Sequence, residues 1–529
     1  MKHLTLTQSN YSNNYNALQL SLPIDLGIKI DPNDEVVSFQ EAIEGVNLGK
    51  YIKKEERRGR KGHDKVMLLK VILFANMENI RDPRSMAKAC KNDIRYLWLS
   101  KETQPSHMAF ERLIKNYLIK SIDDIYFDVL LKLVGLMEID LRKVYIDGTK
   151  IEANANKYTF VYKARILNAR EKLYHKITDI LFSLNFKYGY NYKINKCYSA
   201  QEIGYVAQYL MEVISKNKIN VVYGKGQKKT EIQRYYDTIL EYYIKLSEYE
   251  YWLSIIGEER NSCSKTDHDA TMCATKMDYY CNTGLSRPCY NAQIAVADGL
   301  IVNADLFQRP GDTQTFIPFV ERHVKYLGEY PKYPVADAGY GSYDNYMYCV
   351  VHGMELTMKY NYYAKKNEAK FRNNIYNVMN WEKDEHGNKI CPKQHVFNQL
   401  KSEKYDESGK YLRITKQYTS KESCENCPHR EKCYSGKGDR KIVSRNDILD
   451  EFYAKVDENL STEEGKELKK QRSIQVEGAF GVIKQNMKFT RFTRRGLENA
   501  KMEFLLVCLG YNLKKYHHYR LTKKNEVIN

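Results

Sequence analysis

Three carboxylates stand in settings where they could hold divalent cations. Asp147 follows the short β-rich run Lys143-Val-Tyr-Ile, and Gly148 follows it. Asp337 ends the run Tyr333-Pro-Val-Ala and precedes Ala-Gly-Tyr-Gly341. Glu477 lies within Arg472-Ser-Ile-Gln-Val-Glu-Gly-Ala-Phe-Gly-Val-Ile-Lys484, a helical pattern. Oxygen-rich clusters select hard ions such as Mg²⁺ or Mn²⁺. Two such ions, about 3.5–4 Å apart, clamp the attacking and leaving oxygens of an in-line phosphoryl displacement. A lone Asp at a strand end is ordinarily a turn or cap residue. Here glycines 148, 339, 341, 478 and 481 remove bulk beside each acid, as close approach of a substrate requires. Gly478 and Gly481 each cost a helix about 1 kcal/mol relative to Ala, which argues for a role other than stability. Lys484 falls two helical turns after Glu477, on the same face, where it could hold a phosphate. Asp298, Asp305, Asp312 and Asp344 are rival acids. Asp298 is explained by its turn with Gly299, and Asp312 by capping a helix.

A second constellation is built of thiols. Cys424-x2-Cys427-x5-Cys433 supplies three, and Cys391 is a natural fourth, with His395 or His429 as substitutes for it. Four cysteines make a closed tetrahedral Zn²⁺ site. Residues 361–459 are too polar to fold strongly alone, so a metal staple makes physical sense. The alternative is reduced cysteine in a loose loop. The remaining cysteines are scattered and read as core or loop residues.

Short helices with Asp/Pro/Ser turns fill the region up to about Leu136, with Ser85 capping Met86–Leu97 and Ser106 capping the next. Strands are expected at Lys143–Asp147, Tyr290–Val296, Leu300–Leu306, Tyr333–Asp337 and Glu355–Tyr360. Asp298-Gly299 is a hairpin signal. Helices are expected at Thr313–Tyr326, Asp344–Val351, Thr462–Asn486 and Leu497–Tyr516. Between the first two strands, Ile232, Tyr235, Ile239, Tyr242, Leu246, Tyr249, Leu253 and Ile256 keep an a/d seam, read with Ile166–Leu184 as an antiparallel coiled-coil hairpin. Removing that insertion and the Cys-rich one leaves β-β-β-α-β-α-β-α, the order of an RNase H-like α/β domain. The expected organisation is a helical N-terminal DNA-binding module (1–136), a first part of the core (137–160), and the coiled-coil insertion (161–285). The second part of the core (286–360), the Cys-rich insertion (361–459) and the C-terminal helices of the core (460–529) follow.

The 529 residues carry a formal net charge of +18, and 43% are hydrophobic, too apolar for a disordered chain. The excess calls for a polyanion. From Lys466 onward there are 15 Lys+Arg against 5 Asp+Glu, around Glu477. Arg472, Lys484, Lys488, Arg491, Arg494 and Arg495 are therefore candidate DNA contacts, with Phe489 and Phe492 interleaved. Arg57, Arg58, Arg60 and Lys61 form a second basic block. No apolar run approaches the roughly 20 residues of a membrane span. The polar N-terminus lacks a signal-peptide core, so a cytoplasmic, reducing compartment is expected.

Together these stretches resemble the DDE transposases of bacterial insertion sequences. The residues carrying the resemblance are Tyr-Ile-Asp147-Gly-Thr-Lys, Tyr290-Asn-Ala-Gln293, Ala-Asp337-Ala-Gly-Tyr-Gly and Val476-Glu477-Gly-Ala-Phe-Gly-Val-Ile-Lys484, and it spans nearly the whole chain. The resemblance implies Asp147, Asp337 and Glu477 as a catalytic triad. It implies Mg²⁺-dependent hydrolysis at element ends, strand transfer into double-stranded target DNA, and a homodimer on paired ends. A related branch carries Tyr-x2-Arg-x3-Glu-x6-Lys. Here its Tyr position is Lys470 and its Arg position is Ser473, with Arg472 one residue earlier. A nuclease without strand transfer and a non-catalytic, zinc-stabilised DNA-binding derivative are the alternatives.

Overall fold

The computed structural model describes residues 30–52, 62–223, 228–274 and 285–528. Arg57, Arg58, Arg60 and Lys61 lie outside the described residues. Helices α1 (Glu35–Ile43), α2 (Lys65–Met77), α3 (Pro83–Asn92), α4 (Ile94–Leu99), α5 (His107–Leu113) and α6 (Ile119–Met137) open the chain. Aspartates set several of their starts. Asp34, Asp64, Asp82 and Asp93 each accept a backbone N–H from the first turn. The single helix expected from Ser85 is therefore two: Asp82 and Pro83 start α3, and Asp93 starts α4. α2 is buried along Met67–Leu69 and Val71–Met77. It packs on the C-terminal helix, Leu497–Ile528, which also touches α1, α6 and the sheet. These helices and the sheet share one continuous hydrophobic core.

The middle of the chain contributes β1 (Lys143–Glu152), β2 (Phe160–Tyr162), α7 (Lys163–Tyr188), α8 (Ala200–Lys216) and α9 (Glu231–Ile256). β3 (Ser262–Ser264), β4 (Thr271–Ala274), β5 (Ser286–Ala297), β6 (Leu300–Phe307), α10 (Phe316–Leu327), β7 (Tyr333–Val335) and α11 (Tyr343–Val351) follow. In the main sheet β5 lies antiparallel between β1 and β6, β7 runs parallel on the other side of β1, and β4 pairs with the start of β5. Asp298 and Gly299 both have left-handed φ, 45° and 83°, the geometry of a two-residue hairpin turn.

Two strand expectations are corrected. β1 does not end at Asp147 but continues to Glu152, paired with β5 throughout, because Gly148 leaves room for Gln293 opposite it. Glu355–Tyr360 forms no strand. It runs beside β7 with only the Glu355 and Lys359 N–H groups donating, to Lys332 O and Ala336 O. Pro334 at the centre of β7 has no N–H to offer, so no ladder forms.

The stretch between β2 and β3 contains α8 in addition to the two expected helices. α7, α8 and α9 enclose a separate core in which Ile177, Leu184, Leu210, Ile239 and Leu246 are fully or almost fully buried. The stretch expected to be irregular also folds. Short strands between Glu382 and Phe397 make one sheet, and Gln399–Asp406, Arg413–Thr419 and Val443–Arg445 another, over a small core of Trp381, Phe397 and Val443. A helix at Asp447–Ser461 leads back to the main body. The next helix runs regularly over Glu463–Arg472, widens into a π turn at Ser473–Glu477, tightens over Gly478–Gly481 and widens again at Val482–Asn486. Among the described residues no helix is long and apolar enough to cross a membrane.

Candidate active site

The parallel pairing of β1 with β7 ends at Tyr145 opposite Val335. Asp147 and Asp337 each lie two residues past that pair. Side chains alternate along extended chain, so both return to the face that Tyr145 and Val335 share. Between Tyr145 and Glu152 this flank of β1 has no partner strand among the described residues, and the sheet opens there before Thr490–Phe492 closes on Glu152. Into the opening the helix sends Arg472, whose Nη2 lies 3.1 Å from Asp147 Oδ1 and 3.5 Å from Asp337 Oδ2. Gly148 N–H donates to Asp147 Oδ1 at 2.9 Å, and Gly339 N–H to Asp337 Oδ1 at 2.8 Å. Asp147 is the more enclosed, with 21% of its side chain exposed against 43% for Asp337. Burial pushes the Asp147 carboxyl above the usual range. Arg472 opposes that shift, and the charges of Asp337 and Asp312 add to it.

Arg472, a candidate DNA contact in the sequence, is turned to the two aspartates in the structure. Its side chain is 9% exposed and its guanidinium neutralises two acids. The regular turn before the π segment aims it at the sheet, where two convergent carboxylates need a cation. Its Nε is buried and makes no hydrogen bond.

Asp312 is a site residue that local pattern concealed. Only its backbone carbonyl meets the start of the following helix, accepting from Thr315 N and Thr315 Oγ1. Its carboxylate turns back to the sheet, where Oδ1 accepts from Lys150 Nζ at 3.0 Å, Asn291 Nδ2 at 2.7 Å and Gln293 Nε2 at 3.0 Å. Buried Tyr340 donates to Gln293 Oε1, and Thr313 Oγ1 donates to Gly339 O at 2.7 Å. This network links β1 and β5 to the loop that carries Asp337. A Cβ at Gly148 would lie 2.1 Å from Gln293 Nε2 and 2.9 Å from Asp312 Oδ1, so the network requires glycine there. Gly341 is required too: its Cβ would lie 2.4 Å from Lys359 O.

Glu477 is exposed at the end of the first π turn. Such turns concentrate at functional sites. Lys484 donates to Thr149 Oγ1, and Thr149 shares a face of β1 with Asp147, two residues along. Among the described residues no group of three or more His, Cys, Asp or Glu is gathered closely enough to hold a metal. The structure thus brings Asp147 and Asp337 together and leaves Glu477 apart from them.

The downstream basic residues divide into two sets. Lys488, Arg491 and Arg495 are exposed, with Arg491 3.7 Å from Glu152 and Arg495 donating to Asn154 O at 3.0 Å. Arg494 is instead engaged by Glu111 through two hydrogen bonds of 3.0 and 2.8 Å, tying this segment to α5. Phe489 and Phe492 are buried edge-to-face, 5.3 Å apart, and offer no surface for a base to stack on.

Cys391, Cys424, Cys427 and Cys433 line one cavity of about 20 Å³ together with His395 and His429. Cys391 comes from the turn between two short strands, with Gln394 N–H donating to its carbonyl. Cys424 and Cys427 come from tight turns, with Cys427 N–H to Cys424 O and Arg430 N–H to Cys427 O, and Cys433 ends the short helix Arg430–Cys433. Lys441 Nζ stands 3.4 Å from Cys433 Sγ, a donor suited to a thiolate. A space of this size admits a single small atom. The donor types are those of a Zn²⁺ site, but the side chains are not drawn closely enough together to bind the ion as they stand.

Two family models match the chain. Residues 390–517 match a family described as a transposase DDE domain, a stretch that includes Glu477, Lys484 and the four clustered cysteines. Residues 25–116 match a family described as a transposase domain. Asp147 and Asp337 lie outside both stretches. No curated protein and no solved structure matches the chain.

Proposed function

Both family matches support a DDE-type transposase of an insertion element, and on that premise we propose a chemistry for it. Asp147 and Asp337, joined by Glu477 when metal and DNA bind, would form a divalent-metal site on an RNase H-like core. It cleaves DNA at the element's ends and transfers the freed strand into target DNA. The observation that carries this reading is the β1–β7 register. It sets Asp147 and Asp337, distant in sequence, against one cation, the Arg472 guanidinium. The order of three antiparallel strands followed by a parallel fourth on the far side of β1 supports the RNase H-like assignment.

Two facing carboxylates already drawn to one guanidinium fit a hard cation. Asp147, Asp337 and Glu477 would hold two ions, Mg²⁺ or Mn²⁺, which supply Lewis-acid stabilisation of phosphoryl displacement. The chain's own residues orient the DNA. Lys484, held at Thr149 beside Asp147, meets a phosphate next to the scissile one. Lys488, Arg491 and Arg495 meet backbone phosphates further along, which gives salt-dependent and sequence-independent affinity. Arg472 keeps the two aspartates together before DNA and metal arrive, and the Asp312 network holds the Asp337 loop in place. The thiolates of Cys391, Cys424, Cys427 and Cys433 would hold a structural Zn²⁺, which would staple the module between the core helices. Two protomers pair the two ends, with the α7–α9 insertion as the contact.

The test is cleavage of the element's own end DNA by the full chain with Mg²⁺, followed by strand transfer from pre-cleaved ends. Cleavage without transfer would reduce the activity to that of a nuclease. No cleavage by the unmutated chain would overturn the catalytic reading.

A further inference from the structure

We infer that Lys359 is a phosphate contact for the reacting DNA strand, on the β7 side of Asp337. The inference rests on the transposase reading above. Lys359 belongs to the extended segment after α11 that runs beside β7. Glu355 N–H donates to Lys332 O at 2.8 Å, Thr357 Oγ1 to Pro334 O at 2.9 Å, and Lys359 N–H to Ala336 O at 3.4 Å. The last bond sets Lys359 beside the residue that immediately precedes Asp337. On its other side the Lys359 carbonyl fills the space a side chain at Gly341 would need, so the backbone here is tied to the Asp337 loop at two points.

The flanking residues Leu356, Thr357, Met358 and Tyr360 are all at most 3% exposed. Lys359 interrupts this buried run with a half-buried ammonium group. Partial burial pushes its pKa down, and so does repulsion from Arg472 and Lys469, while Asp337 attracts it. Part-buried lysines of the molecule are otherwise satisfied by carboxylates or by backbone carbonyls, as Lys389 is by Met379 O and Trp381 O. Lys150 meets Asp312 at 3.0 Å, Lys366 meets Asp457 at 2.5 Å, and Lys501 meets Asp305 at 3.0 Å. Among the described residues no carboxylate lies within ion-pair distance of Lys359. A cation partly removed from water and set among cations is costly unless an anion joins it. Once Asp147 and Asp337 are engaged by metal, three cations remain here: Lys359, Lys469 and Arg472. A phosphodiester crossing the acids supplies the matching charge. Lys484 stands over β1, so the two lysines would hold the strand from opposite sides of the aspartates.

The experiment compares the full chain with Lys359→Met and Lys359→Arg. The probe is a short duplex carrying the element's end, with binding measured as a function of salt. Losing one phosphate contact lowers the slope of log K against log [salt] by about 0.9. Lys359→Met should show that loss and Lys359→Arg should not. The urea midpoint of Lys359→Met should equal or exceed that of the unmutated chain, because a repelled cation is removed. An unchanged salt slope in Lys359→Met overturns the inference. So does inorganic phosphate that stabilises the unmutated chain but not Lys359→Met while both bind duplex alike, because the site would then take a free anion. Failure of the unmutated chain to bind or cleave the end DNA would instead overturn the transposase chemistry, a distinguishable result.

Discussion

Arg472 Nη2 and Asp147 Oδ1 are 3.1 Å apart, an ion pair that fastens the π-bulged helix to the middle of the strand that opens the sheet. The same nitrogen reaches Asp337. Removing the guanidinium leaves two carboxylates facing each other in a partly enclosed site. Arg472→Met should therefore destabilise the metal-free chain by about 1–3 kcal/mol. Urea unfolding measures it. Added Mg²⁺ should recover most of the loss, because it supplies the missing positive charge. Equal loss with and without Mg²⁺ would mean that Arg472 acts through packing alone.

The raised carboxyl of Asp147 has a consequence for pH. Its folded-state pKa lies above its unfolded value of 3.8, so the folded chain binds the proton more tightly. Stability contributed by this group is present at low pH and is lost as pH rises through the folded pKa. Asp147→Asn removes a charge that is unfavourable at neutral pH. Without divalent metal the variant should melt at a higher temperature than the unmutated chain at pH 7. The advantage should fade as pH falls toward the ordinary carboxylate range. A variant less stable at pH 7 would show that Arg472 more than compensates the burial.

Gly148 is where strand and site compete for the same space. In Gly148→Ala the new methyl group would meet Gln293 and Asp312, both fixed by hydrogen bonds. The expected cost is about 1–3 kcal/mol, as for other overpacked sites. Cleavage should fall further than stability explains, because Gln293 and Asp312 hold the Asp337 loop through Tyr340 and Thr313. Chemical unfolding and cleavage rate, measured on the same preparation, separate the two effects.

The thiol cluster makes a prediction that does not depend on DNA. Cys424→Ser and Cys427→Ser should each lose about one equivalent of zinc, as expected of a closed four-ligand site. Limited proteolysis should then cut within residues 382–445, whose own core is small. Unchanged zinc content would sink the structural-metal reading.

Much of the site was legible because its residues sit on strong local signals. Asp147 and Asp337 each follow a β-rich run, and the hairpin at Asp298-Gly299 fixes how the first strands pair. What escaped was set by contacts distant in sequence. Asp312 reads locally as a helix cap, yet its side chain answers to Lys150, Asn291 and Gln293. Arg472 reads as one member of a basic stretch, and only the turn of the helix shows that it faces inward. Phe489 and Phe492 lie among basic residues in the chain but against Tyr290 and Phe504 in the fold. α8 carried a signal that could have been used: Ser199 and Glu202 form a reciprocal capping box at its start. Glu477 was prominent in the sequence, but the structure does not draw it to the aspartates.

The central claim is that Asp147 serves metal-dependent DNA chemistry and not merely the architecture of β1. The most direct test measures Mg²⁺-dependent cleavage of the element's end DNA by Asp147→Ala beside the unmutated chain, with duplex binding recorded on the same samples. Asp147→Ala should reduce cleavage to background while binding stays largely intact. Cleavage by Asp147→Ala at a rate near that of the unmutated chain would contradict it.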